Sequence, residues 1–469
     1  MLARATLPRE TLRTFLEATR AATGVPAICA VLRCEGEAEC VVVGTSAVDD
    51  GAPLPRDVRF EIGCMGKPLV SVVALELAQA GELDLEAPIG EYLPELAGDP
   101  KGAAIAAWHL MSHTPGYAGL NMLDERTAAF GWDDLIEHLR RDRQLFAPGT
   151  VFNYEQSAGV LLGEIVTRVA GRPVMGLVDD IVLEPLRRRS SPASRAPLAS
   201  AHAPDAGARR FVRGASRQAT SALWRASLSD RALPVEELAA LGELLMTGSL
   251  PGTSGTRLLS RHTVEALRTR AVALPEVVGN NHSHCMPIGH GRGIAEFCRG
   301  VHGCDGTGSG HMVGLRFAPA EGIAIAVAIN ADAPGVRRTV MASILGELGL
   351  AGEPRERSAP LDLAADELPR PLRGIERLGG LGRPERPGDR HYFAVRTSVR
   401  SSDGDPRRRG VSPPGRRRAP DGEHRVLPRS CLRRAEPHAR RAGVSQDRRG
   451  RLRGRPPMAM SSLVSPLPR

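Results

Sequence analysis

Lysine is nearly missing from this chain: of 62 basic residues, only Lys67 and Lys101 are lysine. The skew fits a GC-rich coding sequence, and arginine would serve any purely solvating role. Each retained lysine therefore gains weight as a residue chosen for its amine. Aromatic residues are also few, at 3% of 469, so the core has to be built from Ala, Val, Leu and Ile. No run of about 18 apolar residues occurs, which excludes a spanning helix and leaves no membrane partner to expect. The first thirty residues, MLARATLPRETLRTFLEATRAATGVPAICA, alternate charged and apolar positions without a secretory apolar core, so a cytoplasmic protein is expected.

What is present is ordinary for a chain that buries a core, with 42% apolar and 25% charged residues. The formal charge of +9 is unevenly spread. Residues 401–469 hold 18 Arg and 6 acidic residues, which leaves 44 basic and 47 acidic groups in the preceding 400. The body is slightly acidic and the basicity belongs to a tail, so nucleic acid is not an expected partner of the body. Eight cysteines without an export signal imply reduced thiols rather than a disulfide framework.

Along the chain, LPRETLRTFLEATRAA (7–22) has helical apolar spacing. PAICAVLR and ECVVVGTS read as two strands around the turn-like CEGEAE. In FEIGCMGKPLVSVVALELAQAGELDL a short strand passes through Gly63 into a long apolar helix over 65–80, ended at Gly81. Helices dominate from there to about 186, whereas 187–232 is rich in breakers and reads as irregular. After 286, GLRFAPAEG and IAIAVAIN read as paired strands, followed by a last helix, RRTVMASILGELGL. Residues 353–400 read as a linker. The Arg/Pro/Gly/Ser text of 401–469 offers too little apolar surface to offset chain entropy, so disorder is expected there. An unstructured extension or a translated shifted frame explains that tail more simply than nucleic-acid binding.

Cys64-Met65-Gly66-Lys67 puts a thiol at the start of a helix and an amine three residues on, on the same face. The unpaired N–H groups of a helix N-terminus and a nearby ammonium both favour thiolate, the condition for an activated nucleophile. On this tetrapeptide alone, a small buried cysteine beside a snorkelling lysine is the simpler reading.

The surrounding text adds more. FEIGCMGKPLVSVVALELAQAGELDLEAPIGEYLPEL resembles the active-site segment of the serine β-lactamase, penicillin-binding protein and esterase superfamily, most closely its class C and EstB-like esterase branch. There, Ser-x-x-Lys opens a central helix and Gly-x-Leu-x-Leu-x-x-Pro-Ile follows. In the same order, HLMSHTPGYAGL resembles the family's leucine/serine/histidine/threonine turn. FNYEQSAGVLLGEIVTRVAGRP resembles its Tyr-x-Asn segment, and GCDGTGSGHMVGLRFAPAEGIAIAVAIN its closing strands. The resemblance spans about residues 10–350. It implies an α/β (α+β) fold of β-lactamase/transpeptidase type: an antiparallel sheet flanked by helices, with strands from about 25–62 and 286–330, and an all-helical region from about 80–270. The catalytic domain would then cover 1–352.

By the same resemblance, Cys64 replaces the nucleophilic serine, while Lys67 and Tyr154 keep the family's proton-transfer pair. The backbone N–H groups of Cys64 and Thr307 would hold the oxyanion. Gln156 replaces the Tyr-x-Asn asparagine, and Cys304-Asp305-Gly306 stands where the third motif begins with Lys or His, lining the substrate cleft. The implied activity is an acyl hydrolase or acyltransferase with an acyl-enzyme on Cys64, acting on an ester, amide or thioester of a small molecule. A thioester stays reactive toward amines and alcohols, so transfer is as natural as hydrolysis. The alternative is a retired scaffold that only binds a ligand. No cofactor is implied. His282, His284, Cys285, His290, Cys298, His302, Cys304 and His311 lie within thirty residues. They include no Cys-x-x-Cys pair, so no metal is expected. Trp108, His109 and His113 read as packing and capping groups.

Overall fold

The computed structural model describes residues 7–49, 51–120, 129–190, 197–205, 210–214, 223, 231–251, 257–274, 287–298 and 300–350. The expected linker at 353–400 and the tail at 401–469 lie outside the described residues, as do His282, His284 and Cys285.

Eleven helices are used below among the described residues: α1 Arg9–Thr23, α2 Gly66–Gln79, α3 Pro100–Ala104, α4 Ala107–Met111, α5 Trp132–Arg141, α6 Ser157–Ala170, α7 Val174–Val178, α8 Glu184–Ser190, α9 Val235–Thr247, α10 Arg261–Arg268 and α11 Pro334–Glu347. The strands are β1 Ala27–Cys34, β2 Glu37–Gly44, β3 Arg59–Glu61, β4 His202–Pro204, β5 Phe211–Arg213, β6 Ala232–Pro234, β7 Val272–Ala273, β8 Gly289–His290, β9 Ala295–Cys298, β10 Val301–Thr307, β11 Met312–Ala318 and β12 Ile323–Ile329.

Eight strands form one antiparallel sheet in the order β2-β1-β12-β11-β10-β9-β8-β7. The IAIAVAI run of β12, paired between β1 and β11, is buried at every position, which alternation cannot explain unless both faces are covered. On one face, Leu12 and Leu16 of α1 join Met341, Ile344 and Leu345 of α11 over Ile28, Ile325 and Val327. Each such side chain contributes about 1.5–3 kcal/mol on burial. On the other face lies α9, where a Cβ on Gly242 would come within 2.8 Å of Leu315 and 3.0 Å of Ala324, so glycine lets the helix close on the sheet.

The expected fold holds, with three departures. First, β3 leaves the main sheet. Its residues pair with β6 on one side, while Arg59 bonds Pro197 and Ala199 on the other, so both of its edges are taken. Second, the stretch expected to be helical also supplies α9, which packs on the sheet because VEELAALGELLMT is apolar nearly all round. Third, the stretch expected to be irregular contains β4 and β5 as a pair, and β6 begins at its last residue.

Candidate active site

The chain turns from β3 through Ile62 into a single 3-10 turn, Gly63–Met65, that runs on into α2. Cys64 therefore stands at the head of α2, with Lys67 one turn further on. The helix is buried continuously from Gly66 to Leu75, which makes it the central helix of the fold and puts the Lys67 amine in the interior at 6% exposure.

Tyr154 reaches the same place from the loop before α6. That loop is pinned by Asn153, whose N–H donates to the His113 carbonyl (2.8 Å) and whose side-chain amide donates to the carbonyls of Tyr117 and Ala118 (3.0 Å each). Lys67 Nζ donates to Tyr154 Oη at 2.8 Å and lies 4.6 Å from the ring centroid. Burial lowers the amine below the ordinary lysine range, and the nearby charges of Cys64 and Glu155 act in the opposite sense. The structure thus brings Lys67 and Tyr154 together, with Cys64 close enough to act on the amine.

The third wall is β10, and it approaches closely because two glycines permit it. A Cβ on Gly63, whose φ is +50°, would lie 2.1 Å from the Thr307 carbonyl oxygen and 2.9 Å from its nitrogen. A Cβ on Gly306 would lie 1.9 Å from the Ile62 oxygen. The backbones of 62–64 and 306–307 are therefore in direct contact, which no larger residue would allow.

Register divides the remaining motif residues between the two faces of the sheet. Cys304 pairs with Leu315 and shares its face, the one covered by α9. Burial pushes its thiol up to about 12, with Asp305 and Cys64 adding to the effect and Arg316 opposing it. Asp305 projects to the other face, where Arg316 Nη1 and Arg337 Nη2 each donate to its carboxylate at 2.9 Å. Burial would raise that carboxyl, yet the two guanidinium groups hold it below the usual carboxylate range. Its position within the motif suggested a cleft residue. The structure instead ties its side chain to α11, because successive strand residues alternate faces. Gln156 is buried at 4% exposure in the position before α6.

Two neighbours of the site carry weight that the sequence reading did not give them. Glu155 is buried and caps α6. Its carboxylate accepts from the Ser157 hydroxyl, from the Ala158 N–H (2.6 Å) and from Tyr117 Oη (3.2 Å). Burial raises its pKa while the Ser157, Ala158 and Lys67 groups lower it. His113 packs 4.6 Å from the Tyr154 ring and 5.3 Å from the His290 ring, and both imidazoles are held neutral by burial. The signal for Glu155 was its place between Tyr154 and Gln156, where a charged residue sits inside an otherwise apolar helix start. His109 does cap its helix, accepting the Ala106 N–H at 2.8 Å.

The dense His/Cys stretch disperses. His290 faces His113 and Phe152, and His302 stacks on Phe317. His311 packs on Phe60 near Glu61, and Cys298 Sγ lies 3.4 Å from the Leu350 carbonyl. Among the described residues, no group of three or more His, Cys, Asp or Glu side chains is arranged to hold a metal ion. No helix among them is long and apolar enough to cross a membrane.

Comparison with known proteins agrees with this geometry. The family model described as Beta-lactamase matches residues 12–349, more than half of the chain. Esterase EstB of Burkholderia gladioli is 33% identical over 163 residues, covering 31% of this chain and 41% of that protein. A beta-lactamase of Yersinia enterocolitica is 25% identical over 183 residues, covering 39% of this chain and 45% of that protein. The match thus spans less than half the length of these two relatives. Penicillin-binding protein 4 of Amycolatopsis lactamdurans is 25% identical over 390 residues, 78% of this chain and 96% of its own. Among solved structures, a penicillin-binding protein homologue from Pyrococcus abyssi matches with a TM-score of 0.59 at 20% identity, over 72% of this chain and 78% of that one, which bears on the fold alone. With helix head, tyrosine loop and glycine-lined strand in the family's order and the family model running across them, the chain belongs to the beta-lactamase family.

Proposed function

We propose that the protein is an acyl hydrolase or acyltransferase that forms a thioester on Cys64, with a small-molecule ester as acyl donor. The observation that carries this reading is the 2.8 Å bond between Lys67 and Tyr154 directly behind the helix head that bears Cys64. In this reading the sulfur attacks the donor carbonyl, and its proton passes to the Lys67 amine, which burial keeps ready to be neutral. Tyr154 delivers its proton to the departing alkoxide and takes the proton held by Lys67 across their hydrogen bond, so both groups return to their starting states. The N–H groups of Cys64 and Thr307, on backbones in contact through Gly63 and Gly306, receive the oxyanion. Water or an amine or alcohol acceptor then takes the acyl group and returns the proton to the sulfur. A neutral Cys304 thiol, in the position where the family resemblance expects a Lys or His, favours an uncharged ester over an anionic donor. A reducing compartment such as the cytoplasm would keep Cys64 free to react.

That same Cys304 also favours the second reading, a non-catalytic scaffold, since the exchange removes a polar head from the cleft. One experiment separates the two: p-nitrophenyl acetate is added and the trapped adduct is located by mass spectrometry. An acetyl group on Cys64 with a stoichiometric burst, absent in Cys64→Ala, supports the enzyme. No adduct at Cys64, or one no more abundant than at Cys29, leaves only the scaffold.

A further inference from the structure

The tip of the β10–β11 hairpin is tied to β3 by one carboxylate. Thr307 ends β10, Met312 opens β11, and the Gly308 N–H closes the turn between them by donating to the His311 carbonyl at 2.8 Å. Within that turn the Ser309 N–H donates to Glu61 Oε2 at 2.6 Å. A carboxylate is among the stronger acceptors a backbone N–H can find. It comes so close because Gly308 has no side chain: a Cβ there would lie 2.5 Å from Glu61 Cβ and 2.6 Å from Oε2. On the far side, a Cβ on Gly310 would lie 2.9 Å from both Ala201 Cβ and the His202 nitrogen, so the turn is wedged between β3 and the chain that leads into β4. Glu61 is itself fixed. Its N–H donates to His311 Nδ1 at 3.3 Å, so this imidazole carries its proton on Nε2, which donates to the Ala199 carbonyl at 3.0 Å. Ala199 closes the ring, its N–H donating to the Arg59 carbonyl at 2.9 Å.

We propose that Glu61 is a positioning residue for the oxyanion site, fixing the Thr307 N–H relative to the Cys64 N–H. The inference rests on the acyl-transfer reading above and deepens it. Glu61 stands three residues before Cys64, and its carboxylate holds Ser309, two residues after Thr307. One side chain thus spans the two chain segments that each supply a donor. An oxyanion donor is effective only about 2.7–3.1 Å from the place where charge develops. The glycine contact between 63 and 307 sets how near the two segments come, but a van der Waals contact has no preferred direction. The Glu61–Ser309 hydrogen bond is directional and supplies what the contact lacks, the register of one segment along the other. In this role Glu61 exchanges no proton with the substrate.

Three variants of the full chain test this. Glu61→Gln keeps a carbonyl oxygen at the same reach, Glu61→Asp keeps the charge but is one methylene short, and Glu61→Ala removes the acceptor. For p-nitrophenyl acetate, the acylation rate constant falls about tenfold in the Asp and Ala variants, with the half-saturating ester concentration held within about twofold. Glu61→Gln recovers most of the loss. Alkylation of Cys64 by iodoacetamide, a displacement that develops no oxyanion, stays within about twofold of the wild type in all three. Acylation and alkylation falling in parallel would mean a disturbed helix head and overturn the positioning role. Wild-type acylation in Glu61→Asp, or a loss in Glu61→Gln as large as in Glu61→Asp, overturns it too, and this pair decides even if the Ala variant does not fold. If the wild type forms no acyl-enzyme, the functional reading fails by itself. The tie is then read from hydrogen exchange of the 307–312 peptide: faster exchange in Glu61→Asp than in the wild type supports it, and an unchanged rate overturns it.

Discussion

Lys67 on the central helix and Tyr154 in a loop 87 residues away share a hydrogen bond of 2.8 Å, in a place where the amine is nearly sealed from water. Two groups that each titrate near pH 10 in water are thereby joined into one unit. Removing either should disable proton transfer without emptying the core. Tyr154→Phe and Lys67→Met are expected to lower kcat/KM for an activated ester by about 10²–10⁴-fold. Circular dichroism and the thermal midpoint report whether the fold persists; an active Tyr154→Phe would remove the tyrosine from the mechanism.

In the proposed mechanism, burial also sets the pH at which this unit would work. Lys67 must be neutral to accept a proton, and its pKa lies below the ordinary lysine value of 10.5. The rate should therefore rise with pH through a midpoint under that value, then level off. A pH–rate profile of acylation checks this. Substitution of the buried neighbour, Glu155→Gln, removes a charge that raises the amine and should move the midpoint lower still.

The same burial makes the fold acid-sensitive, and the sign is fixed. His290 and His302 are pushed down to about 4 by burial, below the 6.5 of an unfolded histidine. Between those values the unfolded chain takes up protons that the folded chain refuses. The stability they contribute is complete above pH 6.5 and drains away as pH falls toward 4, by about 3 kcal/mol for each histidine. Urea denaturation at pH 7.5, 5.5 and 4.5 measures it, and His290→Leu should show a shallower slope with pH than the wild type.

Much of this was written in the chain order. The helix at the head of which Cys64 stands, the tyrosine loop and the closing strands are all local patterns, and a helix head with a lysine three residues on needs no tertiary information to be seen. What local pattern could not supply was the face on which a motif residue falls. Asp305 sits between Cys304 and Gly306, yet only the pairing of β10 with β11 and the arginines of β11 and α11 decide that it points away from its neighbours. Likewise, His113 reads as a packing residue until Tyr154 and His290 are brought against it from distant segments, and Glu155 shows its part only where its carboxylate meets the first turn of α6. The close contact of Gly63 with Thr307 is of the same kind, since neither glycine announces what it will touch.

That contact makes a sharp prediction. A methyl group at Gly63 would fall 2.1 Å from the Thr307 oxygen, and one at Gly306 would fall 1.9 Å from the Ile62 oxygen. Both clashes are with backbone, which cannot swing aside as a side chain does. Gly306→Ala and Gly63→Ala should each destabilise the protein by about 1–3 kcal/mol. They should also part the two strands of backbone whose N–H groups are assigned to the oxyanion. Activity should then fall further than stability, with alkylation of Cys64 retained. A Gly306→Ala variant with full acylation would show that the Thr307 N–H is not used.

Asp305 separates structure from chemistry in the opposite direction. Its carboxylate is the acceptor for Arg316, which is 1% exposed, and for Arg337, which is 8% exposed. Replacing it with alanine leaves two buried guanidinium groups without their counter-charge, and breaking such a pair costs about 3–5 kcal/mol. Asp305→Asn keeps part of the hydrogen bonding and should lose less. A residue lining the cleft would change KM for the ester at little cost in stability. Asp305→Asn should do the reverse, lowering the denaturation midpoint while the KM of the folded fraction stays at the wild-type value, because the side chain lies on the α11 face of the sheet, bound to Arg316 and Arg337.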